Sequence, residues 1–232
     1  MNATLLALDT SGASSSAAVL RGGHILAEAT LINAGKQHCE GLMPMLDSCL
    51  NLAQVSPQQL DFIACTSGPG SFTGIRIGAA AAKGLAHAGN IGIIAVPTLD
   101  ALAYNVFNAS SFVAPVMDAR RGQVYTALYR WEASQLARIG NYECMLLADV
   151  LEDLRNHGRN AVFAGDASQT FRDIITEQGH SVAPANQNHV RASSVGLLAL
   201  SMLEDGYQPI CYNTFTPFYL RKPQAERELE PQ

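Results

Sequence analysis

The sequence predicts a two-domain α/β protein in which each domain is a mixed sheet with flanking helices. Short apolar segments typical of buried strands alternate with longer stretches of helical periodicity, which favours a layered sheet covered by helices. The two halves share a plan, since LLALDTSGASSSAAVL and VAPVMDARRGQVYTALY both run from an apolar strand through Asp and a glycine-containing turn into a second strand. This internal similarity favours two similar domains, although any α/β chain contains several strands that end in Asp.

The first half begins with a β-meander, because small polar residues and Gly22-Gly23 separate three short apolar runs. Helical and strand patterns then alternate. The predicted elements are strands at Leu5–Leu8, Ala17–Leu20 and Ile25–Leu31, a helix at Lys36–Ala53, a strand at Asp61–Thr66, a glycine-rich loop at Ser67–Gly74, a helix at Ile75–Ala88, a strand at Ile91–Val96 and a helix at Leu99–Phe107.

The second half repeats the order of strand, turn and strand, and then alternates again. We place the break at Asn108–Ser111 and predict an N-terminal domain over residues 1–108, a C-terminal domain over 109–220 and a frayed tail over 221–232. The predicted elements are strands at Phe112–Met117, Val124–Tyr129 and Ile139–Met145, a helix at Asp149–His157, a strand at Ala161–Ala164, a helix at Ser168–Glu177, a short strand near Val182 and a helix at Ser193–Glu204.

Composition indicates a globular protein, and nothing in it suggests that the chain binds nucleic acid alone. Of the 232 residues, 48% are hydrophobic and 15% charged, and the net charge is −5. The longest basic clusters, Arg120-Arg121 and Arg221-Lys222, are short, whereas phosphate contacts need clustered Lys and Arg. The N-terminus lacks the basic segment of a signal peptide, and no apolar stretch is long enough to span a membrane. We therefore expect a cytoplasmic protein.

The sequence offers no recognisable catalytic or metal-binding constellation. No two of the six histidines lie four residues apart, so no helix carries the H-x-x-x-H pair that seats a metal ion on one face. The five cysteines include no C-x-x-C pair, and the G-x-S-x-G turn of hydrolases is missing. We predict no catalytic residue, no metal ligand and no cofactor.

Two aspartates, Asp9 and Asp118, each end a predicted strand at a tight turn, where ligands of such sheets usually lie. Two facing turns of this kind hold phosphates and a metal ion in actin-like kinases. The alternative is an Asp that bonds to its own backbone to form the turn. Together with the glycine-rich loop, the turns give a candidate vestigial nucleotide or phosphate site, formed by Asp9, Ser11, Gly12, Gly68, Gly70 and Asp118.

The segment SGPGSFTGIRIG, at residues 67–78, joins a predicted strand to a predicted helix. Free N–H groups in such a loop can cradle an anion, although the segment matches neither the P-loop nor G-x-G-x-x-G. The alternative is close backbone packing, because small residues recur every four positions along one face of the helix that follows. Those residues are Gly74, Gly78, Ala82 and Ala86.

The helix predicted at residues 36–53 has an apolar arc about 180° wide, against the roughly 100° that covers one core. The surplus suggests one burial against the chain's own sheet and another against a second protein. The alternative is that the helix buries its whole apolar arc inside its own domain. With the small-residue helix, the predicted partner interface comprises Leu42, Met43, Met45, Leu46, Cys49, Leu50, Leu52, Gly74, Gly78, Ala82 and Ala86.

Four segments resemble the TsaB (YeaZ) family in order and spacing. They are LLALDTS near the N-terminus, SGPGSFTGIRIG, MDARRGQVY at residues 117–125 and PFYLR at residues 217–221. The resemblance covers residues 4–222, although the stretch from 140 to 210 matches in pattern only. It implies an actin-like (ASKHA) fold of two domains.

The resemblance also implies a role in forming threonylcarbamoyladenosine beside the anticodon of tRNAs that read codons beginning with A. In that pathway a metal-dependent TsaD subunit transfers the threonylcarbamoyl group, and TsaB-like proteins pair with TsaD while a TsaE ATPase joins the pair. The expected partners are therefore a TsaD-like subunit, a TsaE-like ATPase, tRNA only through the complex, and a second copy of the chain when it is alone. The alternatives are an active actin-like small-molecule kinase, which Asp9 and Asp118 favour, and a metallopeptidase.

Overall fold

The computed structural model describes residues 2–32 and 38–221, which form two five-stranded sheets and seven α-helices. The first half contains β1 (Thr4–Asp9), β2 (Ser15–Arg21), β3 (His24–Leu31), α1 (His38–Ala53), β4 (Phe62–Gly68), α2 (Phe72–Gly89), β5 (Gly92–Pro97) and α3 (Thr98–Tyr104). The second half contains β6 (Phe112–Asp118), β7 (Gln123–Glu132), β8 (Gln135–Leu146), α4 (Leu147–Asn156), β9 (Ala161–Ala164), α5 (Asp166–Thr170), α6 (Arg172–Glu177), β10 (Ser181–Val182) and α7 (Ala192–Glu204).

The two sheets have the same topology. The first has the order β3-β2-β1-β4-β5, and the second, read from its far edge, has the order β8-β7-β6-β9-β10. In each sheet the first three strands form an antiparallel meander, and the fourth and fifth run parallel to the first. The prediction of two mixed-sheet domains with flanking helices is therefore confirmed, and the division at residue 108 stays a prediction.

Side-chain alternation along β1 explains the layers. Leu6 and Leu8 face a core shared with α1 and α2, whereas Leu5 and Ala7 face a core that contains α3 and α7 and continues to the second sheet. Helices α4, α5 and α6 cover the outer face of the second sheet. The order of layers is thus α1/α2, first sheet, α3/α7, second sheet and α4–α6, with α7 packed on the first sheet although it follows the second in sequence.

Several element boundaries differ from the predictions for local reasons. Helix α2 begins at Phe72 rather than Ile75, because the Ser71 hydroxyl caps it by accepting a hydrogen bond from Gly74 N at 3.3 Å. The helix predicted at Ser168–Glu177 is two helices, interrupted at Phe171 with φ −109° and ψ 22°. Helix α3 ends at Tyr104, three residues earlier than predicted.

Two predictions concern residues outside the described ranges. They are the start of the first predicted helix at Lys36 and the frayed tail beyond Arg221. Among the helices that the structure does describe, none has the length and apolar character needed to cross a membrane.

Candidate functional site

The turn after β1 is built around the Asp9 carboxylate, which is fully buried. Its Oδ1 accepts hydrogen bonds from the backbone N–H of Ser11 at 3.1 Å, from the Ser11 hydroxyl at 2.5 Å and from the Thr66 hydroxyl at 2.7 Å. Its Oδ2 is buried without a hydrogen-bond partner among the described residues. Sequence reasoning missed Thr66, although β1 and β4 are parallel neighbours and their carboxyl ends meet at one edge of the sheet.

Burial controls the ionisation of Asp9. Loss of hydration raises its pKa from 3.8 to about 6, against the opposing effect of the hydrogen bonds from Ser11 and Thr66. Because the proton binds more tightly in the folded chain than in the unfolded one, protonation of Asp9 stabilises the fold.

Stability is therefore expected to fall as the pH rises from about 4 to about 6, where Asp9 loses its proton in the folded chain. The difference between the unfolded and folded pKa values corresponds to about 3 kcal/mol at higher pH. Asp9→Asn keeps an oxygen for the Ser11 and Thr66 hydrogen bonds and removes the charge, so it should raise the free energy of unfolding above pH 6. Chemical denaturation at a series of pH values checks this, with the exposed Asp118→Asn as the control.

If Asp9→Asn lowers stability equally at every pH, Asp9 is not a buried, protonatable group in the folded chain, and this account of the turn is wrong.

The glycine-rich loop lies against the chain's own backbone. A Cβ atom at Gly68 would lie 2.2 Å from the carbonyl oxygen of Phe218, and one at Gly70 would lie 2.3 Å from that of Ser11. Ser71 N donates to the same Ser11 carbonyl at 2.7 Å. Two carbonyl oxygens thus occupy the space beside the loop glycines, so close backbone packing accounts for both glycines.

Close packing also explains the glycines at the start of α2. A Cβ atom at Gly74 would lie 2.0 Å from the carbonyl oxygen of Thr10, and one at Gly78 would lie 2.6 Å from the Thr10 hydroxyl oxygen. That hydroxyl donates to Gly74 O at 2.7 Å. The helix is therefore held against the turn that carries Asp9 and Ser11.

Most residues predicted to contact a partner are buried inside the chain itself. Met43 and Leu52 are exposed, and Met45 is half-buried against the core below α1. The side chains that face the first sheet or the neighbouring helix cannot reach a partner without unfolding, so the interface proposed below uses the exposed ones. The buried residues are Leu42, Leu46, Cys49, Leu50, Gly74, Gly78, Ala82 and Ala86.

The second aspartate turn differs from the first, because Asp118 is exposed. Its Oδ1 accepts a hydrogen bond from Arg120 N at 2.8 Å, and its own N–H donates to Asp166 Oδ1 at 3.1 Å. The two turns face each other, since a Cβ atom at Gly12 would lie 3.6 Å from the Met117 methyl group. The structure thus brings the two predicted turns together but gives their carboxylates different environments.

Residues 210–221, here called the strap, connect both turns. Ile210 and Ile93 exchange two backbone hydrogen bonds of 2.9 Å at the edge of the first sheet. Further along, Phe218 N donates to Ser67 O at 2.7 Å, and Arg221 Nη1 donates to Ala119 O at 3.0 Å. The strap therefore runs from the first sheet, over the glycine-rich loop, to the second aspartate turn.

The strap explains why three of the sequence motifs occur together. The strap segment PFYLR contacts the glycine-rich loop SGPGSFTGIRIG and the second aspartate turn, which is part of MDARRGQVY. The first aspartate turn, below them, comes from LLALDTS. Among the side chains that the structure describes, at residues 2–32 and 40–221, there is no group of three or more His, Cys, Asp or Glu that could hold a metal ion.

Comparison with known proteins gives consistent matches along nearly the whole chain. Residues 25–229 match the family model described as TsaD, tRNA N6-adenosine threonylcarbamoyltransferase. The tRNA threonylcarbamoyladenosine biosynthesis protein TsaB of Bacillus subtilis is 36% identical over 227 residues, with 96% of each chain covered. The TsaB of Escherichia coli is 28% identical, with 97% of each chain covered.

Solved structures show the same fold. A Pseudomonas aeruginosa protein described as similar to peptidase YEAZ superposes with a TM-score of 0.81 at 28% identity, covering 94% of this chain and all of that one. The ROK hexokinase of Thermus thermophilus, at 12% identity, has a TM-score of 0.50 over 88% of this chain and all of its own, a likeness that concerns the fold alone. The predicted actin-like fold is confirmed.

Proposed function

The chain belongs to the TsaB (YeaZ) family, within the wider family that the TsaD model describes, and from this we propose that it is a non-catalytic subunit in the formation of threonylcarbamoyladenosine in tRNA. It pairs with a TsaD-like catalytic subunit, is joined by a TsaE-like ATPase and meets tRNA only through the complex. The proposed location is the cytoplasm.

The observation that carries the non-catalytic role is the packing of the glycine-rich loop. The carbonyl oxygens of Phe218 and Ser11 pack so closely against Gly68 and Gly70 that neither position has room for a Cβ atom. The Asp9 oxygen that accepts hydrogen bonds is already bonded to the chain's own donors. These contacts favour a structural role for the motifs over the kinase alternative.

Exposed apolar side chains support a partner surface on the first half. The large ones on α1 are Met43 and Leu52. Ile25, on the edge strand β3, is also exposed, but it pairs with Leu20, whose side chain packs on the α7 side of the sheet, so it does not share the α1 face. The exposed side of α1 is therefore the proposed docking surface for another protein. In the absence of the TsaD-like subunit, a second copy of the chain would cover the same surface.

Reconstitution tests the proposal directly. The chain alone is expected to transfer no threonylcarbamoyl group to tRNA, whereas adding it to the TsaD-like and TsaE-like subunits with threonylcarbamoyl-adenylate should restore modification. Nucleoside analysis of the tRNA gives the readout, and the same mixture without the chain is the control.

Two results would contradict this role. One is transfer by the chain alone, and the other is full modification by the remaining subunits without it. Phosphoryl transfer from magnesium-bound ATP to a small molecule by the isolated chain, abolished by Asp9→Ala or Asp118→Ala, would support the kinase alternative instead.

A further inference from the structure

Four arginines from three separate segments of the chain lie near one another along the strap. Arg76 Nε, in the first turns of α2, donates to the Tyr219 hydroxyl at 3.0 Å. Two residues further along the strap, Arg221 bonds to the carbonyl oxygen of Ala119 at 3.0 Å. Arg120 and Arg121 follow Ala119 in the β6–β7 turn, and both are exposed.

Aromatic rings are interleaved with these arginines. The Arg76 guanidinium carbon lies 3.7 Å from the Phe72 ring centroid and 5.9 Å from that of Tyr219. The two ring centroids are 5.1 Å apart with an interplanar angle of 40°. We call Phe72, Arg76, Arg120, Arg121, Tyr219 and Arg221 the arginine–aromatic surface.

This surface contrasts with the net charge of −5 on the whole chain. Its described acidic neighbours are Asp118, 3.5 Å from Arg120 Nη1, and the half-buried Asp166, which bonds to Asp118 N. The Arg120 side chain is still 87% exposed. Among the described residues in contact with it, two aspartates do not balance four arginines, so this described part of the surface has an excess of positive charge.

We propose that the arginine–aromatic surface binds the RNA substrate within the complex, an inference that rests on the proposed function. Arginines neutralise the phosphates of an RNA backbone, and exposed rings provide faces on which unpaired bases stack. An acidic protein would use the arginines but not the rings, so RNA accounts for both. Because four arginines are few, the contact adds to binding by the catalytic subunit and does not suffice alone.

The test is the affinity of the reconstituted complex for unmodified tRNA, measured by fluorescence anisotropy over a range of potassium chloride concentrations. The triple variant Arg76→Gln/Arg120→Gln/Arg121→Gln is expected to weaken binding about fiftyfold near physiological salt and to make the slope of log affinity against log salt smaller by about two. Tyr219→Leu should weaken binding about tenfold and leave the slope unchanged.

The control is Arg21→Gln/Arg130→Gln, which removes two positive charges far from this surface. Arg21 lies opposite Thr4, the first residue of β1, whereas Asp9 is the last residue of that strand. Arg130 follows Tyr129, which lies opposite Val113 near the start of β6, whereas Asp118 is at the end of β6. Both arginines are therefore at the ends of the sheets away from the aspartate turns. This variant should bind tRNA like the wild type. Thermal unfolding and gel filtration with the TsaD-like subunit confirm that each variant folds and assembles.

Wild-type affinity and slope in an assembled triple variant would overturn the inference, and so would an equal loss in the control. Loss of TsaE-like subunit binding with unchanged tRNA affinity would assign the surface to an acidic protein and also overturn it. The proposed function fails separately, if the reconstituted complex that contains the wild-type chain does not modify tRNA.

As a second measurement, photo-crosslinking of thiouridine-containing tRNA should label peptides containing Phe72 or Tyr219.

Discussion

Leu50→Lys is expected to unfold the chain, whereas Leu52→Lys, two residues further along α1, should leave it folded and strongly weaken pairing with the TsaD-like subunit. Leu50 is 7% exposed and packs in the core below α1, while Leu52 is 75% exposed. A lysine at position 50 would bury an unpaired charge, which costs several kcal/mol of a total stability of about 5–15 kcal/mol. At position 52 the charge stays in water until a partner covers it.

Thermal unfolding and binding to the TsaD-like subunit separate the two effects. The melting temperature of Leu52→Lys should stay within a few degrees of the wild type while its affinity falls at least thirtyfold, as at an interface hot spot. Met43→Lys tests the other flank of the exposed face in the same way. If Leu52→Lys and Met43→Lys both bind like the wild type, α1 is not the interface.

Gly74→Ala and Gly84→Ala, in the same helix, are expected to change stability in opposite directions. A Cβ atom at Gly74 would lie 2.0 Å from the Thr10 carbonyl oxygen, whereas one at Gly84 meets nothing within 4 Å. Because the helix and the Asp9 turn must separate to admit the methyl group, Gly74→Ala should cost about 3 kcal/mol and lower the melting temperature by roughly 10 °C. Gly84→Ala should gain up to about 1 kcal/mol from helix propensity.

Calorimetry of both variants checks the pair, and Gly84→Ala controls for any general effect of alanine in α2. If Gly74→Ala is as stable as the wild type, then α2 does not rest on the Thr10 turn as described.

The helices and strands were predictable because the apolar patterns that indicate them lie within short stretches of sequence. β1 is a central strand, buried on both faces, so a continuous apolar run identified it. The wide apolar arc of α1 was also visible, but periodicity does not show what covers it. Leu46, at its centre, and Leu50 pack in a single core, whereas Met43, one heptad before Leu50 on the same edge, and Leu52 are exposed.

The candidate site was less predictable, because its decisive contacts are distant in sequence. Arg76 and Tyr219, which share a hydrogen bond, are separated by 143 positions. The strap has no helical or strand periodicity, so nothing local indicates that Phe218 reaches the glycine-rich loop. Small residues indicated close packing along α2, but the partner of Gly74, the Thr10 carbonyl oxygen, needed the structure to identify it.

The position of α7 has a consequence for how the protein is made. The helix packs on β1 and β2, and a Cβ atom at Gly196 would lie 2.4 Å from a methyl group of Leu20. Ile210 and Phe215 then complete the edge and the core of the same sheet. A nascent chain therefore cannot complete the packing around its first sheet until nearly all of its residues have left the ribosome.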